Sequence, residues 1–164
     1  KQPRWREVLE VAARKANWGR PAAGRHQGVA LMSGYDTYVA QVAEISMNGN
    51  TPRIERVVCA VDCGVCVNPD GVRAQMEGAV AFGLSAALYG EVTLRNGRVV
   101  QSNFQNYPLL RLRDMPEVDV HIVSSSEKSG GIGEPGVPPI APAVANAIFS
   151  ATGKRLRRLP LKLT

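Results

Sequence analysis

Between Gly28 and Gly64 the chain is almost entirely strand-forming sequence with one strong turn signal. Apolar and polar side chains alternate around Tyr38 and Ala40, and a second apolar run follows in RIERVVCAVD. The stretch NGNTPR, at 48–53, separates the two runs and is a turn signal. The pattern therefore predicts an antiparallel hairpin with one face turned toward a core.

Helical periodicity recurs in three other segments, where apolar residues return every three or four positions. The predicted helices are Arg4–Ala16, Pro69–Tyr89 and Pro139–Thr152, the last of them closed by Gly153. A second hairpin is predicted in EVTLRNGRVVQSNF around Asn96-Gly97, and PEVDVHIVSSS has the alternation of one more strand. The leucine-rich tail can add a short strand.

Hairpins and long helices are mixed here without a regular β-α-β alternation. That arrangement favours an α+β fold, with a mixed, largely antiparallel sheet and helices packed against it. The 164 residues contain no internal repeat and no linker, so we expect a single domain over 1–164.

The positive charge is concentrated at one end of the chain. The net charge is +6, and the tail GKRLRRLPLKLT supplies five basic residues and no acid. No interleaved aromatic residues accompany these charges, so a nucleic-acid partner is not expected. No apolar run reaches the ~18 residues of a membrane span, so no transmembrane segment is predicted.

Three cysteines, Cys59, Cys63 and Cys66, have the spacing C-x3-C-x2-C. This spacing resembles the cluster loop of radical S-adenosylmethionine enzymes, which leaves an iron–sulfur enzyme as one alternative. Cys59, however, stands inside an apolar strand, which favours packing as a small hydrophobic residue. His26 and His121 stand apart from these thiols, and zinc requires about four ligands, so no metal site made of protein ligands is predicted.

A rigid loop, SGGIGEPGVPP at 129–139, carries a single carboxylate, Glu134. Its glycines allow close approach to a ligand, and its prolines limit the entropy that ordering costs. G-x-G-x-x-G is matched literally, but the prolines delay the following helix, so a dinucleotide site is not favoured. A fixed carboxylate suits general-base catalysis, and it equally suits a cap at the N-terminus of the next helix. The residues alone leave these two interpretations open.

Three stretches together resemble the molybdenum hydroxylases, the family of xanthine dehydrogenase and aldehyde oxidase. They are VVCAVDCGVCVNPDGVRAQMEGAVAFGLSAALYGE, QSNFQNYPLLRLRDMPEVDVHIV and GGIGEPGVPPIAPAVANAIFSATGKRLRRLPL. The resemblance is most specific over 57–161, and it is strongest to large (beta) subunits of the isoquinoline 1-oxidoreductase type. It implies that the chain is the C-terminal part of a molybdopterin-binding domain, and that 164 residues alone are not active.

This resemblance implies roles for individual residues. The glutamate of the family's G-x-G-E-P motif falls on Glu134, which would be the general base, with Gly131 and Gly133 beside the cofactor. Gln75, in the stretch Q-x-E-G, would lie near the pterin. The implied reaction is hydroxylation of an N-heteroaromatic ring or an aldehyde, with water as the source of oxygen.

The same resemblance implies the cofactor and the partners. The cofactor would be molybdopterin carrying molybdenum, expected in its cytosine dinucleotide form, with 2Fe-2S clusters on a small partner subunit. The other partners would be the remainder of the large subunit and a small-molecule substrate. A bacterial, periplasmic or membrane-associated location is favoured over a cytoplasmic one. The alternative is a small non-catalytic module that uses the same fold for binding or assembly.

Overall fold

A four-stranded sheet forms the centre of the molecule in the computed structural model, which describes residues 3–163. The strands are β1 (Arg25–Gly34), β2 (Thr37–Asn48), β3 (Thr51–Asp62) and β6 (Glu117–Ile122), in the order β1-β2-β3-β6. The first three strands are antiparallel neighbours, and β6 pairs with β3 in parallel. The predicted α+β fold with a largely antiparallel, mixed sheet is thus confirmed.

Helices cover both faces of this sheet. Helix α1 (Pro3–Lys15) buries Val8 and Ala12 against one face, and α2 (Pro69–Leu88) and α3 (Ile140–Thr152) bury apolar side chains against the other. All three helices lie within a few residues of their predicted bounds, and Gly153 ends α3 with a φ of 71°. The three layers explain why β2 and β3 are apolar on both faces.

The parallel pair of strands determines where the loops lie. Because β3 and β6 run in the same direction, their carboxyl ends reach the same edge of the sheet. The loop after β3, at 63–68, therefore lies beside the loop after β6, at 123–139. The cysteines and the glycine loop, which are separated in sequence, meet at this edge.

The strand region before NGNTPR proved to be two strands rather than one. A tight turn at Tyr35 and Asp36, both with a φ of 58°, joins β1 to β2. The predicted turn at NGNTPR is real and joins β2 to β3, so the result is a three-stranded meander. The prediction missed the first turn because neither of its central residues is the glycine or asparagine that such turns favour.

Two smaller elements also differ in extent from the sequence pattern. The Asn96-Gly97 hairpin exists, but its strands β4 (Leu94–Arg95) and β5 (Arg98–Val99) have only two residues each. A short 3-10 helix follows at Leu112–Asp114. The tail adds no strand within the described residues; instead Leu161 enters the core and its amide donates to the carbonyl of Ala87 at 2.7 Å.

Glycines admit close contacts between α3 and its neighbours. A Cβ at Gly28 would collide with the backbone of Ala143 and Ala147, and one at Gly83 would collide with Ile140. Gly28 therefore allows α3 to pack closely against β1, and Gly83 allows α3 to pack closely against α2. No helix of the described part is long and apolar enough to cross a bilayer.

Candidate functional site

The two loops at the shared sheet edge are bound to each other through their backbones. The amide of Gly130 donates to the carbonyl of Cys63, and the amide of Val65 donates to the carbonyl of Glu127, each at 2.9 Å. The Ser129 hydroxyl also donates to the carbonyl of Val65 at 2.7 Å. The loop after β3 thus supports the start of the glycine loop.

The turn between β1 and β2 holds the middle of the glycine loop. The amide of Gly131 donates to the carbonyl of Tyr35 at 2.7 Å, and the Thr37 hydroxyl donates to the carbonyl of Gly131 at 2.8 Å. A Cβ at Gly130 would lie 2.5 Å from the Thr37 hydroxyl oxygen, so only glycine permits this approach. Gly131 is therefore fixed by hydrogen bonds through both its amide and its carbonyl.

Gln41 lies beneath the glycine loop and forms a hydrogen bond with the far end of that loop. Its side-chain amide is fully buried on β2 and donates to the carbonyl of Gly136 at 2.8 Å. The Gln41 Oε1 atom has no hydrogen-bond partner, alone among the buried side-chain nitrogens and oxygens of residues 3–163. A Cβ at Gly136 would lie 2.8 Å from the Cβ of Ala79, so α2 also contacts this end of the loop closely.

Glu134 stands exposed at the tip of the held loop. Its Oε2 accepts a hydrogen bond of 2.6 Å from the Tyr35 hydroxyl, 99 positions away in sequence. Helix α3 begins at Ile140 and has Pro139 as its N-cap, with no side-chain hydrogen bond there. The interpretation of Glu134 as a helix cap is therefore wrong, because a turn and the following prolines separate it from the start of the helix.

Gln75 lies on the exposed side of α2, beside a cavity of about 330 Å³. The cavity is also lined by residues of both loops, among them Cys66, Ser129, Gly130 and Ile132. The Gln75 amide makes no hydrogen bond within the described part of the chain, so the local fold does not require it. The structure thus brings Gln75 to the start of the glycine loop, while Gly131, Gly133 and Glu134 lie outside the lining.

Several polar groups of the loop remain available to a ligand. The amides of Ile132, Gly133 and Glu134 donate no hydrogen bond to any group in residues 3–163. A Cβ at Gly133 would meet no atom within 4 Å, in contrast to Gly130, Gly131 and Gly136. Free amides next to an open glycine suit a ligand rich in hydrogen-bond acceptors.

The cysteines do not form a three-thiolate site. Cys59 is fully buried on β3 among Val39, Val61 and Met76, and burial raises the pKa of its thiol to about 12. Burial also raises the pKa of the Cys63 thiol. Because Cys59 would have to leave the core to bind a cluster, its interpretation as a packing residue is confirmed.

The histidines and carboxylates do not assemble a protein-ligated metal site either. Burial, with help from Lys15, lowers the pKa of His121 on β6. Across residues 3–163, no group of three or more His, Cys, Asp or Glu side chains is arranged to hold a metal ion. A cofactor that brings its own metal ligands is compatible with this set of residues.

Asn68 and Asp62 bind backbone amides at the two ends of the loop after β3. Asn68 is the N-cap of α2 and accepts from the amide of Gly71 at 3.0 Å. Asp62 accepts from the amide of Gly64 at 3.0 Å and from the Arg4 guanidinium. On α2, Gly83 is a close-packing position, whereas a Cβ at Gly78 would meet no atom within 4 Å.

Sequence reasoning missed the residues that hold Glu134 in place. Tyr35, Thr37 and Gln41 all contact the glycine loop, yet the sequence pattern alone predicted none of them. For Tyr35 a signal existed in SGYDT, where Gly and Asp flank it as they would in a turn. For Gln41 the signal was a polar residue in the buried middle of an apolar strand.

The sequence matches a family of known proteins over most of its length. The molybdopterin cofactor-binding domain family matches residues 1–116, and the chain belongs to this family. The similarity to curated proteins extends further along the chain, to the glycine loop and beyond, and covers up to 98% of it.

The particular relatives are bacterial oxidoreductases. The beta subunit of isoquinoline 1-oxidoreductase from Brevundimonas diminuta is 39% identical over 98% of this chain and 21% of its own length. The membrane-bound aldehyde dehydrogenase (pyrroloquinoline-quinone) of Gluconacetobacter polyoxogenes is 36% identical over 94% of this chain and 21% of its own. The chain thus spans about a fifth of the length of these relatives. Only the second of the two names contains a cofactor, pyrroloquinoline-quinone, whereas the matched family is described as molybdopterin cofactor-binding.

Solved structures show the same fold. Quinoline 2-oxidoreductase from Pseudomonas putida 86 superposes with a TM-score of 0.67 and 22% identity, over 76% of this chain and 17% of that one. The aldehyde oxidoreductase from Desulfovibrio desulfuricans superposes with a TM-score of 0.66 and 25% identity, over 76% and 14%. The arrangement of sheet, helices and loops described above is therefore that of molybdenum oxidoreductases.

Proposed function

We propose that this chain supplies the general base, Glu134, to a molybdenum hydroxylase that oxidises N-heteroaromatic rings or aldehydes with oxygen taken from water. The observation that carries the proposal is the exposed carboxylate of Glu134 on a loop held by Cys63, Tyr35, Thr37 and Gln41. Such a loop aims the carboxylate without an ordering cost at each turnover. The names of the relatives, which include isoquinoline, quinoline and aldehyde oxidoreductases, support both substrate classes.

The residues present fit a molybdopterin. The cofactor would find the unpaired amide of Gln75 beside the cavity of about 330 Å³, and the free backbone amides of Ile132, Gly133 and Glu134 on the loop. No atom of the described protein lies within 4 Å of a Cβ at Gly133, so the protein's own packing does not require glycine there. In the proposed complex, the missing side chain would allow the cofactor to approach the loop closely. When bound, the molybdopterin would supply the metal centre that accepts the electrons of the oxidation.

The protein's own contribution is to move a proton at Glu134. Hydroxylation exchanges a C–H bond for a C–O bond, and water loses protons as its oxygen is transferred. The Oε1 atom of Glu134 makes no hydrogen bond within residues 3–163, whereas Oε2 is occupied by Tyr35. Oε1 would therefore take up the proton from the water-derived oxygen as that oxygen attacks the electron-poor carbon.

Electrons have to leave the site after each turnover. The isoquinoline 1-oxidoreductase and nicotinate dehydrogenase relatives are both named as single subunits of their enzymes. We extend the proposal to a small partner subunit with 2Fe-2S clusters, and to the cytosine dinucleotide form of the cofactor. Electron paramagnetic resonance of the purified complex tests the clusters, and mass spectrometry of the released cofactor tests the nucleotide.

Glu134→Gln in the full-length enzyme tests the central role. We expect unchanged molybdenum content and a fall in turnover of about 100- to 10,000-fold on isoquinoline, quinoline and aldehyde substrates. Glu127→Gln is the matched control, because it removes an exposed carboxylate near the start of the same loop. A Glu134→Gln enzyme with normal turnover would refute the base, whereas a wild-type protein without turnover on any of these substrates would favour a non-catalytic module.

Isotope labelling tests the source of oxygen separately. Turnover in water enriched in oxygen-18 should place the label in the hydroxylated ring or the carboxylic acid. Label entering from dioxygen instead would contradict the proposed reaction, irrespective of the result with Glu134→Gln.

A further inference from the structure

The hydrogen bond from Tyr35 to Glu134 is the single side-chain hydrogen bond to this carboxylate within residues 3–163. The phenol oxygen lies 2.6 Å from Oε2. Both residues are exposed, and Tyr35 is 59% exposed. Tyr35 therefore contributes little to the core of residues 3–163, and its hydroxyl contacts Glu134 rather than the core.

The backbone of Tyr35 is bound to the same loop. Its carbonyl accepts from the amide of Gly131 at 2.7 Å, and Thr37, two residues on, donates to the carbonyl of Gly131. The turn and the loop are thus joined at three points, one of which is the carboxylate itself. These hydrogen bonds fix the tip of the glycine loop relative to the sheet.

Tyr35 occupies an unfavourable backbone conformation for a tyrosine. Its φ is 58°, in the left-handed region where glycine, asparagine and aspartate are preferred. A tight turn of this kind forms more readily with Asn-Gly, as at Asn96-Gly97 elsewhere in this chain. The strained turn brings the phenol to the glycine loop, which is the arrangement expected where a side chain is required for a function.

We propose that Tyr35 is a positioning residue for Glu134, fixing the carboxylate by its Oε2 atom so that Oε1 is presented to the reacting proton. This inference rests on the proposed function, in which Glu134 is the base. It assigns to the β1–β2 turn, outside the glycine loop, a part in the chemistry. Tyr35 contacts neither substrate nor cofactor in this role.

Electrostatics agree with a donor that stays protonated. The hydrogen bond to Glu134 and the negative charge of that carboxylate raise the pKa of Tyr35 above its ordinary value. The hydroxyl therefore keeps its proton across the neutral and mildly alkaline range, and donates it continuously to Oε2. A positioning role requires a hydroxyl that stays protonated, whereas a proton donor in turnover would have to lose its proton in each cycle.

Tyr35→Phe in the full-length, metal-loaded enzyme is the first test. Phenylalanine keeps the ring and the turn but removes the donor. We expect kcat to fall about 10- to 100-fold as the carboxylate loses its orientation, with molybdenum content and KM unchanged within about twofold. Tyr107→Phe, which removes a hydroxyl that makes no hydrogen bond within the described residues, is the matched control and should behave as wild type.

The double variant separates a positioning role from a structural one. If Tyr35 acts through Glu134, adding Tyr35→Phe to Glu134→Gln should lower the residual turnover no further. The inference is overturned if Tyr35→Phe keeps wild-type kcat, or if it lowers kcat by the same factor in both backgrounds. A loss of molybdenum content or of folded protein large enough to account for the loss of kcat would also overturn it.

The two proposals fail in different ways. An active Glu134→Gln enzyme refutes the base, and the inference about Tyr35 falls with it. An inactive Glu134→Gln enzyme together with a fully active Tyr35→Phe enzyme leaves the base in place and removes the role of Tyr35 alone.

Discussion

Arg4 and Asp62 form a two-point ion pair that ties helix α1 to the end of strand β3. The guanidinium Nε donates to Oδ2 at 2.6 Å and Nη2 donates to Oδ1 at 2.8 Å. The Asp62 side chain is almost completely buried, and Oδ1 also accepts from the amide of Gly64. The pair therefore fixes the start of the loop that supports the glycine loop.

The stability of the protein should depend on this pair at acid pH. Burial opposes ionisation of Asp62, but the Arg4 guanidinium and the Gly64 amide outweigh it and hold its pKa below the usual range. The contribution is complete above the unfolded-state pKa of about 4, and it is lost as pH falls through the lower folded-state pKa. Urea unfolding at a series of pH values should show this loss as a steeper decline below about pH 4.

Arg4→Met provides the matching variant. We expect it to lower the free energy of unfolding at neutral pH by about 2 kcal/mol, because a buried carboxylate loses its charged partner. Its stability should fall less steeply in acid than that of wild type. Arg6→Met on the same helix removes the exposed pair with Glu10 and should change nothing measurable. Equal losses of unfolding free energy in the two variants would show that the Arg4–Asp62 pair stabilises the fold no more than the exposed Arg6–Glu10 pair does.

Alanine substitution at two glycines of the same loop should affect stability differently. Gly130→Ala places a Cβ 2.5 Å from the Thr37 hydroxyl and 2.7 Å from the Tyr35 carbonyl, and we expect it to destabilise the fold by about 1–3 kcal/mol. Gly133→Ala meets no atom within 4 Å, so its melting temperature should equal that of wild type. If the cofactor approaches Gly133, this second variant should nonetheless lose pterin or turnover, whereas normal content and turnover would contradict that approach.

The three thiols should differ in reactivity. Cys59 is fully buried with its pKa raised to about 12, and Cys63 is almost as buried, whereas Cys66 is partly exposed. Brief treatment of the native protein with a maleimide should therefore label Cys66 first and leave Cys59 unlabelled, as mapped by peptide mass spectrometry. Rapid labelling of Cys59 in the native state would show that the strand opens, and would revive the cluster interpretation.

Gln75→Ala tests the contribution of α2 to the cofactor. The amide is exposed and unpaired in the described part of the chain, and alanine favours a helix, so the melting temperature should not fall. Loss of a hydrogen bond to the pterin should weaken cofactor binding by up to about tenfold. Glu77→Ala, two positions further on the same helix, should retain full pterin content. Full content in both variants would remove Gln75 from the site.

Much of the fold was predictable because local patterns and tertiary packing agree. The period of α1, α2 and α3, the turn at 48–53 and the cap at Asn68 all follow from neighbouring residues. The predicted strand in the tail was wrong because its alternating leucines indicate packing as well as pairing, and Pro160 offers no amide to a sheet. The β1–β2 turn was missed because Tyr35, one of its two central residues, is of a type that disfavours a positive φ.

The candidate site was predictable only in part, for a physical reason. Spacing along the chain places Glu134 in a rigid loop, but its hydrogen-bond partner comes from a turn 99 positions away. Such a contact depends on the parallel pairing of β3 with β6 and on the order of the sheet, which no local pattern specifies. For the same reason the helix-cap interpretation of Glu134 stayed open until the start of α3 was known.

The position of Tyr35 outside the buried clusters of residues 3–163 has a consequence for how such enzymes diversify. Substitutions in a packed core are constrained by their neighbours, so most routes to altered chemistry pass through lost stability. Tyr35 belongs to none of the buried clusters of residues 3–163, yet its side chain reaches the carboxylate directly. A lineage can therefore change the position of its glutamate carboxylate by one replacement in the β1–β2 turn, while selection keeps the packed sheet and helices unchanged.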